Sequence, residues 1–184
     1  MPTILKITRF GNPLLRSVAA QLSEQQITST QIQDLINNMR YTVLQKKYGV
    51  GLAAPQVGQG VALSVVAIKP TPSRPDSVPF ETVLINPIIL ETFGRRTGMW
   101  EGCISCGKNN DTLYAKTLRY KKVRVQWLDE HAVLRNQVLE GLPAHVAQHE
   151  VDHLNGILFV DHVRDNKTFM MADEYRKQMR KYKK

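Results

Sequence analysis

Residues 148–162 read QHEVDHLNGILFVDH and carry two histidines four positions apart, His149 and His153, with Glu150 between them. On a helix, residues i and i+4 lie one above the other, so both imidazoles face the same point. Two neutral imidazoles form half of a tetrahedral metal site, and Glu150 can serve there as a general base. The competing interpretation is an exposed helix with two unrelated histidines. The stretch favours a metal-binding helix.

The ends of this helix are marked in the sequence. Pro143 suits the first turn of a helix, and Gly156 suits the left-handed residue that follows a last turn. We therefore predict a helix from Pro143 to about Leu154.

The surrounding elements follow from apolar spacing and turn residues. A helix is predicted from a cap at Ser29 or Thr30 to about Lys47, because apolar residues recur there at intervals of three and four. The Gly-rich loop of residues 49–60 is too irregular for a helix. We predict strands at residues 61–68, 82–85, 88–92, 122–128 and 133–139, and a last helix at residues 173–182. This order is typical of an α+β fold rather than a doubly wound sheet.

A catalytic site needs a third ligand besides the two histidines. The one later histidine is His162, and Gly156 has already ended the helix before it. A thiolate is the alternative, and Cys103 stands beside Gly102, where a backbone can approach a metal closely. Together with Cys106 it forms a C-x-x-C pair, which also fits half a zinc knuckle or a redox dithiol. A four-cysteine zinc ribbon is excluded because the chain has two cysteines.

Length and composition indicate one globular domain. The chain has 184 residues, of which 42% are hydrophobic and 22% charged, so wholesale disorder is excluded. No apolar run reaches the roughly 18 residues that span a bilayer, and no signal peptide is recognised at the start. We expect a reducing, cytoplasmic location, with neither a membrane nor DNA as a partner.

Three blocks of the chain together resemble peptide deformylase. They are GVGLAAPQVG (residues 49–58), EGCIS (residues 101–105) and the stretch at residues 148–162, in the family's order and spacing. The segment RFGNPLLR near the start is also similar. The resemblance implies antiparallel sheets wrapped around a central helix that carries the H-E-x-x-H motif. It implies removal of the formyl group from nascent polypeptides that begin with formyl-methionine.

The resemblance also implies roles for individual residues. The metal ligands are Cys103, His149 and His153, and Glu150 is the general base and then the acid. The side chain of Gln56 and the backbone N–H of Ile104 are the donors to the formyl oxygen.

Substrate contacts and the metal are implied in the same way. Val50, Gly51 and Leu52 resemble the segment that pairs with the substrate backbone, and Gly51 and Gly102 permit a close approach to the metal. Thiolate and imidazole suit Zn²⁺ and Fe²⁺ alike. The family favours one Fe²⁺ per chain, with Zn²⁺, Ni²⁺ or Co²⁺ as substitutes.

The chain departs from the family after the EGCIS block. The family usually continues with an apolar residue, Pro and Gly, whereas this chain continues with Cys106, Gly107 and Lys108. The altered segment, residues 106–118, leaves the side-chain preference for substrate open. We expect Cys106 to be a spare thiol, because as a fourth ligand it would close the site. Asp152 is expected either to orient a ligand imidazole or to lie on the helix surface.

The end of the chain is strongly basic. Residues 167–184 hold seven Lys or Arg residues against Asp173 and Glu174. We expect a catalytic domain over residues 1–165 and a basic helical tail over residues 166–184. The tail either docks on ribosomal RNA or is a solvated helix. Two other functions remain alternatives: a deformylase-like peptide- or ribosome-binding protein without activity, and a peptidase with the same helix motif.

Overall fold

The computed structural model describes residues 1–45, 49–71 and 74–181, with the side chains of the last two left out. Its helices are α1 (Glu24–Ile27), α2 (Thr30–Gln45), α3 (Leu142–Leu154) and α4 (Ala172–Lys181). Its strands are β1 (Gly51–Ala53), β2 (Leu63–Ile68), β3 (Phe80–Phe93), β4 (Thr97–Gly102), β5 (Leu113–Arg119), β6 (Lys122–Leu128), β7 (Leu134–Glu140) and β8 (Met170–Met171).

The strands form two antiparallel sheets, ordered β1-β2-β3-β6-β7 and β4-β5-β8. Strand β2 is buried on both faces because the larger sheet lies between two helices. Leu63, Val65 and Ala67 pack in the cluster of α2, whereas Val66 and Ile68 pack in the cluster of α3. The predicted α+β fold, with antiparallel sheet around the helix of the two histidines, is confirmed.

The predicted helix of the two histidines forms almost as expected. Helix α3 starts at Leu142, with Pro143 in its first turn. Beyond its end, Gly156 has a φ of +70°, and a Cβ there would lie 2.6 Å from the Arg16 carbonyl oxygen. The glycine is therefore required both by the left-handed turn and by the close packing of the N-terminal segment.

The other predicted helices also form, within the described residues. Helix α2 begins at Thr30, and its predicted end at Lys47 lies outside the described residues. Helix α4 begins one residue before the prediction, and the predicted end at Tyr182 likewise lies outside them.

The prediction of two short strands around Asn86 and Pro87 was wrong, because β3 runs through both residues. Asn86 adopts a φ of +50°, and the pairing with β6 shifts register between Ile85 and Ile88 before it resumes. The Asn86 side chain accepts a hydrogen bond from the Leu22 amide (2.9 Å) and donates one to the Leu22 carbonyl (2.8 Å). The irregularity is thus a bulge held from outside the sheet.

Strand boundaries differ elsewhere by one or two residues. Strand β2 begins at Leu63, because Val61 forms a separate bridge with Ala20. The hairpin of β6 and β7 is confirmed, with Ala132 in a left-handed turn conformation (φ +60°). The loop of residues 49–60 contains strand β1 and a 3₁₀ helix, Ala54–Val57. Among the described residues, no helix is long and apolar enough to cross a bilayer.

Strands β4 and β5 were not predicted. They pair in register from Thr97 opposite Arg119 to Gly102 opposite Tyr114. This hairpin brings the segment after β4 beside α3, so it places the third candidate ligand.

Candidate metal centre

Three ligand-bearing side chains converge beside α3. The ligand atoms of Cys103, His149 and His153 lie within 4.8 Å of one another. Cys103 Sγ lies 3.3 Å from His153 Nε2, and Cys103 and His153 are almost completely buried. One turn of helix supplies both imidazoles, and the turn after β4 supplies the thiol. The structure thus brings together the three ligands that the sequence predicts.

A buried carboxylate holds one of these imidazoles. Glu101 Oε2 lies 2.9 Å from His149 Nδ1, and the same carboxylate accepts hydrogen bonds from Arg119, Thr117 and His145. Burial alone would raise the pKa of Glu101, but the hydrogen bonds from His145, His149 and Arg119 hold it well below its ordinary value. Because an ionised carboxylate only accepts, His149 donates through Nδ1 and leaves the lone pair of Nε2 for a metal.

Glu101 is a functional residue that the sequence analysis missed. Its signal was its place in the EGCIS block, two residues before Cys103.

The expectation for Asp152 was wrong in both of its forms. Its carboxylate is partly buried, forms an ion pair with Arg119, and accepts a hydrogen bond from His162 Nε2 at 2.9 Å. Asp152 therefore supports Glu101 through Arg119, and no ligand imidazole contacts it.

The Glu150 side chain is buried away from solvent. It is 2% exposed, and its Oε2 has no hydrogen-bond partner among the described residues. Burial raises its pKa to about 7, which the nearby histidines only partly oppose. A Cβ on Gly51 would lie 2.1 Å from Glu150 Oε1, so any larger residue here would displace this carboxylate. A carboxyl group with a pKa near neutrality can both accept and return a proton.

The Gln56 side chain faces the same centre. Gln56 Nε2 lies 3.2 Å from Cys103 Sγ and 3.3 Å from Ser105 Oγ, while Gln56 Oε1 accepts from the Ala53 amide at 2.8 Å. Because the Ala53 amide donates to Gln56 Oε1, the NH₂ group of Gln56 is the end that faces the Cys103 thiol. The amide of Ile104 makes no hydrogen bond to the described part of the chain. It is therefore free to serve as a donor.

The residues predicted to bind substrate lie in two places. Gly51 and Leu52 belong to β1, the edge strand of the larger sheet, which pairs on one side with β2. Leu52 is completely buried in the cluster that packs on α2, and Val50 packs beside the α3 cluster. Gly102 accommodates the ring of Tyr114, which a Cβ would approach to 2.5 Å.

The electrostatic field of the site favours a cation. A hydrogen bond from Cys106 lowers the pKa of Cys103 well below its ordinary value, despite burial that raises it. Burial lowers the pKa of His149, but the hydrogen bonds to Cys103 and Glu101 outweigh it and raise that pKa well above its ordinary value. A thiolate and a carboxylate therefore stabilise positive charge at the His149 imidazole. This donor set and field fit a divalent ion.

A thiolate and two imidazoles beside a buried glutamate define a metallohydrolase, because such sites keep a position open for chemistry. The comparisons with known proteins narrow this class. Residues 4–169 match the family model described as polypeptide deformylase. The chain therefore belongs to the polypeptide deformylase family.

Individual relatives are similar in sequence to this chain over nearly its whole length. Peptide deformylase 2 of Nostoc sp. is 37% identical over 175 residues, which cover 95% of this chain and 94% of the relative. The peptide deformylase of Leptospira biflexa is 36% identical over 168 residues, which cover 90% of this chain and 91% of the relative.

Solved structures are similar as well. A class I type b peptide deformylase from Acinetobacter baumannii, bound to Met-Ala-Ser, has a TM-score of 0.81 and 35% identity over 89% of this chain and 100% of that one. A peptide deformylase from Synechococcus elongatus in complex with actinonin has a TM-score of 0.76 and 35% identity, over 89% of this chain and 83% of that one.

Proposed function

We propose that this chain hydrolyses the formyl group from the N-terminus of formyl-methionyl nascent polypeptides and releases formate. The observation that carries the proposal is the convergence of Cys103, His149 and His153 beside the buried carboxyl group of Glu150. Family membership supports the same activity. Neither a loss of activity nor peptidase chemistry has support in the site or in the relatives.

In this proposal Cys103, His149 and His153 hold one divalent ion. When bound, the ion supplies a Lewis acid that polarises the formyl carbonyl and makes a water molecule more acidic. Glu101 keeps His149 in the tautomer that such binding needs. Fe²⁺ is the proposed ion in the cell, with Zn²⁺, Ni²⁺ or Co²⁺ able to replace it, because thiolate and imidazole ligands suit all of them.

Glu150 moves the protons of the reaction. It first accepts a proton from the attacking water and later delivers one to the leaving amine. Its pKa of about 7, raised by burial, supports both steps near neutral pH.

Gln56 and the Ile104 amide stabilise the negative charge that develops on the formyl oxygen. Gln56 Nε2 lies 3.2 Å from Cys103 Sγ, and the amide of the next residue, Ile104, has no partner among the described residues, which supports the pair as an oxyanion hole. One donor of this kind is worth about 2.7–4 kcal/mol of transition-state stabilisation.

The substrate backbone adds to the edge of β1 at Val50, Gly51 and Leu52. Strand addition suits this edge because β1 pairs with β2 on its other side. The contact of Gly51 with Glu150 keeps the edge close enough to the site for a formyl group, which is too small to fill a larger pocket. Gly102 contributes by leaving room for Tyr114 beside Cys103.

Residues 1–165 form the proposed catalytic domain, and residues 166–184 form the proposed tail. We propose that the tail contacts the ribosome and that the protein acts in the cytoplasm. The Tyr175 ring stacks on Tyr114 at 4.5 Å between ring centroids and lies 5.4 Å from Trp100. One face of α4 thus rests on the domain, which supports a basic face turned toward ribosomal RNA. Lys177 on that face also pairs with Asp173 and Glu174 of its own helix.

Formate release from a formyl-Met-Ala-Ser peptide, measured with anaerobically prepared holoenzyme, tests the activity. The acetylated peptide of the same sequence is the control, because a larger acyl group should not reach the site. Formate from the first peptide alone, with the peptide bonds intact, is the expected result. Cleavage between residues, or no formate from metal-loaded protein, would contradict the proposal.

A further inference from the structure

The second cysteine of the C-x-x-C pair contacts the first one directly. Cys106 donates a backbone hydrogen bond to the Cys103 carbonyl oxygen at 2.9 Å, which closes a tight turn. Such a turn keeps its first and last Cα atoms within about 7 Å, the range in which a disulfide forms without moving the backbone.

The turn is held closed from outside. Arg9 Nη1 donates to the carbonyl oxygens of Ile104 (2.8 Å) and Gly107 (2.7 Å), and the Phe10 amide donates to the Ser105 carbonyl (2.9 Å). The N-terminal segment thus holds the backbone of the turn that carries the two cysteines. Cys106 lines a cavity of about 270 Å³ together with Arg9 and Phe10 of this segment, which gives small molecules a route to the second thiol.

We propose that Cys106 is a resolving thiol, which converts a peroxide-oxidised Cys103 into a reversible Cys103–Cys106 disulfide. The pair is then a modification site for hydrogen peroxide. The effect of the disulfide on metal binding rests on the proposed function, in which Cys103 is a metal ligand. The disulfide chemistry itself depends only on the two thiols.

The reaction balances in two steps. The Cys103 thiolate attacks hydrogen peroxide, so an S–O bond forms, the O–O bond breaks, and the leaving hydroxide becomes water by taking a proton from solvent. Cys106 then attacks Cys103 Sγ, so the S–S bond forms and the S–O bond breaks. The leaving hydroxide takes the Cys106 proton and becomes a second water. Two electrons pass from the two sulfur atoms to the peroxide.

The consequence for the centre is loss of one ligand in a recoverable form. A disulfide sulfur is no thiolate, so His149 and His153 would remain as the only ligands, and a low-molecular-weight thiol would restore the third. Without Cys106, the sulfenic acid at Cys103 proceeds to sulfinic acid, which thiols do not reduce.

The test uses full-length, metal-loaded protein treated with hydrogen peroxide, beside the variants Cys106→Ser and Cys106→Ala. One tryptic peptide, residues 97–108, contains both cysteines, so its mass shows the oxidation state of the pair. The original chain should lose two hydrogen atoms in this peptide and release its metal to a chromogenic chelator. Dithiothreitol followed by metal should reverse both changes and recover formate release. The variants should instead gain two oxygen atoms at Cys103 and recover nothing.

Two results would overturn the proposal. One is sulfinic acid at Cys103 in the original chain without the disulfide. The other is equal recovery of the original chain and both variants. The peptide masses need no catalytic activity, whereas formate release before oxidation tests the proposed function, so failure of one is distinguishable from failure of the other.

Discussion

Glu101 Oε2 and His149 Nδ1 lie 2.9 Å apart, and this contact joins the segment of the thiol ligand to the helix of the imidazole ligands. Glu101 stands two residues before Cys103, so β4 positions one ligand and the turn that follows it supplies another. Arg119, paired with both Glu101 and Asp152, supports the carboxylate from behind. The order of the metal centre therefore depends on a buried ionic network rather than on the ligands alone.

Replacing Glu101 by Gln should weaken metal binding. An amide keeps the shape but loses the charge that holds His149 in its donating tautomer, so we expect affinity to fall by about 10–100-fold. Competition with a chelator of known affinity measures it. Glu91→Gln is the control, because Glu91 pairs with Arg124 at the surface. Unchanged affinity in Glu101→Gln would remove the positioning role.

Glu150→Ala should keep the metal and lose turnover. The carboxylate moves protons and is not a ligand, so formate release should fall by about 100- to 10,000-fold. Metal content and kinetics are measured on the same preparation. A variant that has lost its ion, or one that turns over normally, would contradict the assignment.

Cys103→Ser and Cys106→Ser should differ sharply when both are prepared without air. The first removes a ligand, so it should lose metal or activity, whereas the second should keep both because His149 and His153 group with Cys103 alone. Metal analysis after gel filtration decides between them. Equal losses would mean that both thiols bind the ion, and the site would then lack an open position.

Gly51→Ala should damage catalysis through Glu150. Its Cβ would lie 2.1 Å from Glu150 Oε1, so the carboxylate has to move, and a displacement near 1 Å can lower the rate by about 100-fold. Gly98→Ala is a matched control, since a Cβ at this other strand glycine meets nothing within 4 Å. Turnover of the short formyl peptide and the melting temperature should be measured for both. Similar behaviour of the two variants would exclude the contact as the cause.

Replacing Lys177, Arg180, Lys181 and Lys184 together by Gln should weaken ribosome binding and leave turnover of a short formyl peptide intact. Contacts to phosphate release counterions, so the substituted protein should show a shallower fall of affinity with rising salt than the original chain. Sedimentation with ribosomes across a salt series measures it. If ribosome binding does not change with salt, or does not change on the four substitutions, α4 is a solvated helix and not a ribosome contact.

The sequence by itself determined what depends on local spacing. Two histidines four residues apart face one point on any helix, and Pro143 and Gly156 set the ends of that helix whatever surrounds it. Strand β4 escaped prediction because Gly98 and Gly102 lower the strand propensity of its six residues. Pairing with β5 stabilises it instead, and such pairing has no local signature.

Tertiary structure decided the partners that are distant in the chain. The pairing of β4 with β5 carries Cys103 to His153, 50 residues away, and Glu101 to His149, 48 residues away. Asp152 lies on the same helix as both imidazoles, yet its side chain turns to Arg119 and His162. A carboxylate binds whichever donor the packing brings within about 3 Å, and that choice depends on how sheet and helix dock.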